Sequence, residues 1–226
     1  MKNNDFTLTM VKQVLNAIKE KNIPFFVSEA HLQTEFIITA AKLFPDFEYF
    51  PEIAPSNIPD EYNKKFGKSG IHFDLVINTG KEKVLIEFKY LTKKFPEKRE
   101  NDSLPFSIKN QSAMNIRRYD CWKDISRIET FVTSDNTISN GYFILITNDL
   151  SLKKEPLDTY LYREFSIAET THKSGERIWG EGMSKNSKKG RENPICIKNN
   201  YEFKYEEFKE YKGKNGRFEL LVVEIQ

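Results

Sequence analysis

The sequence predicts an α/β fold in which a mixed β-sheet flanked by helices occupies about residues 28–150 and a β-rich C-terminal elaboration follows over about residues 151–226. Three observations carry this expectation. Gly70–Asn78 and Lys83–Tyr90 alternate apolar and polar residues like the arms of a β-hairpin. Helical patterns precede and follow that hairpin. Gly141–Asn148 is a continuous apolar run bounded by turn residues, as a strand buried on both faces requires. At 226 residues the chain is long enough for one sizeable domain.

Taken in order, Phe6 to Lys21 has helical periodicity that Pro24 stops. Ser28 is a plausible N-cap for a second helix, whose stripe of Glu29, Gln33, Phe36, Ile37, Ala40 and Phe44 turns to the core until Pro45. Glu35 shares the opposite, solvent-like face with His31, Thr39 and Lys42. Phe50 to Lys68 reads as an irregular connection. After the hairpin, Pro96 to Pro105 reads as a loop and Ile108 to about Thr130 as one long helix. Its apolar seam is Met114, Cys121, Trp122, Ile125 and Ile128, with Gln111, Asn115 and Arg118 in a neighbouring polar row. Arg117, Asp120, Lys123, Asp124 and Arg127 read as ion pairs on an exposed face. Ile195–Ile197 and Phe218–Ile225 are further strands.

The hairpin carries the chemistry. With Gly80-Lys81 at the turn, Phe73 pairs with Phe88, Leu75 with Ile86 and Ile77 with Val84, which sets Asp74 opposite Glu87. Opposed residues have Cβ atoms roughly 4.5–5.5 Å apart. Two carboxylates at that distance repel by ~3 kcal/mol at an effective dielectric near 20, a cost that calls for compensation. A divalent cation held by carboxylates, water and a substrate phosphate would supply it, and Mg²⁺ or Mn²⁺ suits such oxygen ligands. Lys89, two positions beyond Glu87 on the same face, is placed to orient a water or stabilise charge on phosphorus.

Asp74 followed thirteen positions later by Glu87-Phe88-Lys89 resembles the active-site signature of the PD-(D/E)xK nuclease superfamily, with Phe73 where the signature has proline. Glu-Phe-Lys also occurs at Glu202 and Glu207, where it reads as an exposed strand end running into a charged loop. The first copy alone sits in a strongly alternating strand facing an aspartate. The resemblance implies a restriction-endonuclease-like mixed β-sheet flanked by helices, with Mg²⁺ or Mn²⁺ held by Asp74, Glu87, the carbonyl of Phe88 and Glu29. It implies catalytic roles for Asp74, Glu87, Lys89, Glu29 and Gln111, Gln111 and Arg118 being carried over from the helix after the signature strand. Further pieces are similar to a bacterial family of unassigned function: Ser28-Glu-Ala30 with Gln33, Arg118-Tyr-Asp120, Lys123-Asp124-Ile125 with Arg127, Thr147-Asn-Asp149 and Lys189-Gly-Arg-Glu192. They favour Glu29 over Glu35.

A net charge of +2 provides no global field for a polyanion, but the basic residues cluster. Lys93, Lys94, Lys98 and Arg99 follow the second arm, and Lys185, Lys188, Lys189 and Arg191 form another run, so Lys93, Lys94, Lys188, Lys189 and Arg191 are candidate nucleic-acid contacts, to which the resemblance adds Arg118. Two cysteines and three histidines show no zinc-ligand spacing, no apolar stretch matches a membrane span, and the first residues are not signal-like, so a cytoplasmic location is expected. The expected function is metal-dependent hydrolysis of a nucleic-acid phosphodiester, DNA before RNA, in restriction, repair or defence, by a monomer or homodimer. The alternative is a nucleic-acid-binding or assembly subunit of the same fold without turnover.

Overall fold

The computed structural model describes residues 5–21, 25–67, 71–95 and 107–226. Pro24, Gly70, the Pro96–Pro105 loop, Lys98 and Arg99 lie outside the described residues. A six-stranded mixed sheet forms the middle layer. Its strands are β1 (Glu48–Ile53), β2 (Phe73–Asn78), β3 (Lys83–Leu91), β4 (Ile138–Thr147), β9 (Tyr205–Glu210) and β10 (Arg217–Ile225), in the spatial order β1-β2-β3-β4-β10-β9. All neighbours are antiparallel except β3 and β4, which run parallel and are joined through a helix, as a parallel crossover requires. Two short pairs, β5 (Thr171–His172) with β8 (Tyr201–Glu202) and β6 (Gly175–Arg177) with β7 (Ile195–Ile197), lie in the segment between β4 and β9.

Helices α1 (Leu8–Glu20) and α2 (Glu29–Leu43) cover one face of the sheet. There Val84, Ile86, Phe88 and Tyr90 of β3 join Val14, Leu15, Leu32 and Phe36 in one apolar core. Ser28 caps α2 as expected, its Oγ accepting from His31 N at 3.1 Å. The other face carries α4 (Met114–Ser134), whose Cys121, Trp122, Ile125 and Ile128 pack with Leu85 and Leu91 of β3 and with β10. Helices α3 (Asp60–Phe66) and α5 (Lys185–Lys188) are short.

Four expectations change. The Phe50–Lys68 connection contains strand β1 and helix α3; β1 is an edge strand that tolerates Pro51 because its outer side needs no ladder partner. The long helix starts at Met114 instead of Ile108, because the preceding residues pair with the chain just beyond β3: Gln111 N donates to Thr92 O at 2.8 Å and Ile108 bridges Phe95. Gln111 is therefore in extended chain. Tyr205–Glu210, around the third Glu-Phe-Lys, is the outermost strand rather than a charged loop. Residues 205–225 thus complete the main sheet instead of belonging to an appended elaboration.

Candidate active site

The hairpin forms in the expected register, Leu75 opposite Ile86 and Ile77 opposite Val84, around Gly80, whose φ of 84° suits the turn. The pairing stops there. Beyond Leu75 the two strands diverge, so Asp74 and Glu87 are not ladder partners, and Phe73 turns to the α4 face, edge-on to Phe131 at 4.9 Å. The shared face expected of Phe73, Leu75 and Ile77 breaks at this point.

The divergence leaves backbone groups of β3 without strand partners, at a cost of about 1–3 kcal/mol for each one buried and unpaired. Side chains take the vacated positions. Asp74 Oδ2 accepts from Phe88 N at 2.7 Å, Glu29 Oε2 accepts from Tyr90 N at 2.9 Å, and Gln111 Nε2 donates to Tyr90 O at 2.9 Å. Gln33 Nε2 donates to Asp74 O, and Lys89 Nζ to Phe88 O at 3.1 Å. The fork between β2 and β3 thus gathers Asp74, Glu29, Gln111, Lys89 and the Phe88 carbonyl. Glu35 is turned elsewhere, paired with Lys21 at 2.9 Å.

Glu87 and Lys89 project from β3 toward α4, where they meet two residues read from sequence as surface charges. Arg127 Nη2 lies 2.6 Å from Glu87 Oε1 and 3.0 Å from Asp124 Oδ1, and Lys89 Nζ lies 2.7 Å from Asp124 Oδ2 and 4.0 Å from Glu29 Oε1. Asp124 and Arg127 are not on an exposed face: their side chains are 9% and 12% exposed. Among Glu29, Asp74, Glu87, Asp124, Lys89 and Arg127, four carboxylates face two cations; Glu87, Asp124, Lys89 and Arg127 are largely buried, whereas the Glu29 side chain is 42% exposed. Burial is visible in proton affinity. Burial pushes the carboxyls of Glu29, Asp74 and Glu87 above the usual carboxylate range, against the pull of Lys89 and Arg127. In Asp124 burial acts the same way but is outweighed, because Lys89 and Arg127 both touch it, and its carboxyl lies below that range. Mutual attraction holds Lys89 well above its ordinary value despite desolvation.

In donor chemistry Glu29, Asp74, Glu87 and the Phe88 carbonyl suit a hard divalent cation, since they offer only oxygen ligands, and Lys89 and Arg127 already reach Glu29 and Glu87. The geometry is not ready-made: among the described residues, no group of three or more His, Cys, Asp or Glu side chains is arranged to hold a metal. Glu87 instead faces Arg127, which offsets its buried charge.

In front of Lys89 opens a cleft of about 340 Å³ walled by Glu29, Gln111, Arg117, Asp120, Lys123 and Arg191. Arg191 brings the second basic run to the site by a bidentate contact with Asp120, Nε at 2.7 Å and Nη2 at 2.9 Å. Lys188 is half-buried and Lys189 exposed. Lys94 is exposed as well, whereas Lys93 pairs with Asp149 at 2.7 Å. Arg118 is 5% exposed, lying against the Tyr162 ring with Nη1 lacking a hydrogen-bond partner, so a surface contact with a polyanion is not open to it. Asp124 and Arg127 were the residues misplaced in sequence; the one cue to them was their place in the pieces similar to the unassigned bacterial family.

No helix among the described residues is long and apolar enough to cross a membrane. Comparison of the chain with protein-family models, with curated proteins and with solved structures finds no match.

Proposed function

We propose that the chain is a metal-dependent nuclease of the PD-(D/E)xK type, with the restriction-endonuclease-like fold, acting on DNA in preference to RNA. The observation that carries this reading is the β2/β3 fork, where Asp74, the Phe88 carbonyl, Lys89 and Glu29 come together beside a cleft rimmed by Arg117, Lys123 and Arg191, with Glu87 on the same strand turned to Arg127. Asp74, Glu87, the Phe88 carbonyl and Glu29 would hold Mg²⁺ or Mn²⁺, which supplies Lewis acidity and a nucleophilic water at neutral pH. Lys89, paired with Asp124, would orient the attacking water and offset charge on the phosphoryl oxygens as the P–O bond to the departing oxygen breaks. Gln111 anchors the β3 end of the site through Tyr90 O, and Arg191 and Lys123 are placed to meet flanking phosphates.

Incubating the protein with plasmid, linear duplex or RNA, with Mg²⁺, Mn²⁺ or chelator, tests the proposal. Cation-dependent cutting that disappears in Glu87→Ala and Lys89→Ala is expected. The pairing of Glu87 with Arg127 favours a second reading, a binding subunit without turnover. Nucleic-acid binding unchanged by those substitutions, with no cutting under any cation, would establish it.

A further inference from the structure

We infer that Arg127 is a latch on Glu87, an internal stand-in for the cation, which must release this carboxylate before a divalent ion can be bound between Asp74 and Glu87. The inference rests on the metal-dependent reading above and adds to it a residue that opposes loading.

Glu87 is 1% exposed, and its ion pair among the described residues is with Arg127. The contact is close, at 2.6 Å, yet Glu87 Oε1 and Arg127 Nε have no well-directed hydrogen bond, a feature that Asp124 Oδ2 shares at 2.7 Å from Lys89. The Arg191–Asp120 pair shows what an optimised pairing looks like in this chain, with two parallel bonds. Arg127 also has somewhere to remain after letting go. Asp124 Oδ1 stays within 3.0 Å, and the guanidinium carbon lies 5.6 Å from the centre of the Phe73 ring, so its charge would not be stranded. Asp74 and Asp124 are the carboxylates whose charge acts on Glu87. A single side chain therefore keeps Glu87 neutralised in the metal-free protein and competes with any cation for it.

The test is the affinity for Mn²⁺, read by titration calorimetry and by the electron paramagnetic resonance signal of free Mn²⁺, with no substrate present. Arg127→Gln is expected to bind Mn²⁺ at least about tenfold more tightly than the wild type, and Lys123→Gln, which removes a cation from the same cleft without touching Glu87, by less than about threefold. In a Mn²⁺-bound crystal structure, Arg127 Nη2 is expected beyond contact distance of Glu87 Oε1. Equal or weaker binding by Arg127→Gln, or equal tightening by Lys123→Gln, overturns the latch while leaving the metal-dependent reading intact. If neither wild type nor Arg127→Gln takes up Mn²⁺, that reading fails and the latch with it. Circular dichroism in chelator checks folding; should Arg127→Gln not fold, Arg127→Lys, with a shorter reach, is expected to tighten binding, and no change in it overturns the latch.

Discussion

Glu87 and Glu129 are both 1% exposed, yet the protein treats them in opposite ways. Glu129, on α4, is saturated: its carboxylate accepts from Lys198 N at 2.8 Å, Asn199 N at 2.9 Å, Asn199 Nδ2 at 3.0 Å and the Tyr201 hydroxyl at 2.9 Å. That bundle ties the segment carrying β7 and β8 to the helix. Glu87 has, among the described residues, one guanidinium at 2.6 Å and carboxylate neighbours. A buried charge with every lone pair satisfied is mortar, whereas one opposed by a single close cation is available for chemistry.

The sharpest way to break this contrast is to neutralise Glu87 without changing its shape. Glu87→Gln is expected to reduce cation-dependent cutting by at least about 10³-fold, while the stability of the metal-free protein, measured by denaturant unfolding, is unchanged or rises because the cluster loses one of its excess charges. A large loss of stability would make Glu87 structural, like its counterpart. Conversely, Glu129→Ala leaves two backbone N–H groups and a tyrosine hydroxyl unpaired, and is expected to cost about 3–5 kcal/mol, a melting temperature lower by roughly 10 °C. Cutting measured below that transition should persist.

Acidity and metal probe the same difference more gently. Glu29, Asp74 and Glu87 hold a proton more readily folded than unfolded, so each contributes stability while protonated and loses it as the pH rises past its elevated value. The metal-free protein is therefore expected to melt at a higher temperature as the pH falls from neutral toward the ordinary carboxylate range. Below that range Asp124 reverses the trend, since its stabilising charge is lost. Mg²⁺ at a hundred times its Kd should add ~2.7 kcal/mol at neutral pH and flatten the profile. A pH-independent melting temperature without metal would contradict the charge imbalance. The smallest effect expected is that of Ser28→Ala, ~1 kcal/mol by calorimetry, from loss of the cap on the helix that presents Glu29.

Much of this was legible in the order of residues. Period-two alternation and a glycine at the turn determined the hairpin register, because a slip of one residue would have moved Leu75, Ile77, Val84 and Ile86 out of the core. The Ser28 cap and the central β4 run were equally local. Strand β1 was hidden by Pro51 and by its largely exposed edge position, where no alternation is enforced. The start of α4 was hidden because residues 108–111 find partners just beyond β3 that no helical periodicity can report.

What the sequence by itself determined was which residue types stand along β3, with apolar side chains at even positions and Glu87 and Lys89 between them. Tertiary structure alone decided their partners. Arg127 is forty positions from Glu87, Glu29 reaches Tyr90 across sixty-one, and Arg191 meets Asp120 across seventy-one. Periodicity specifies the face a side chain presents; what meets that face depends on how layers stack, and a charge that looks solvated on an isolated helix becomes a buried counter-ion once the sheet closes over it.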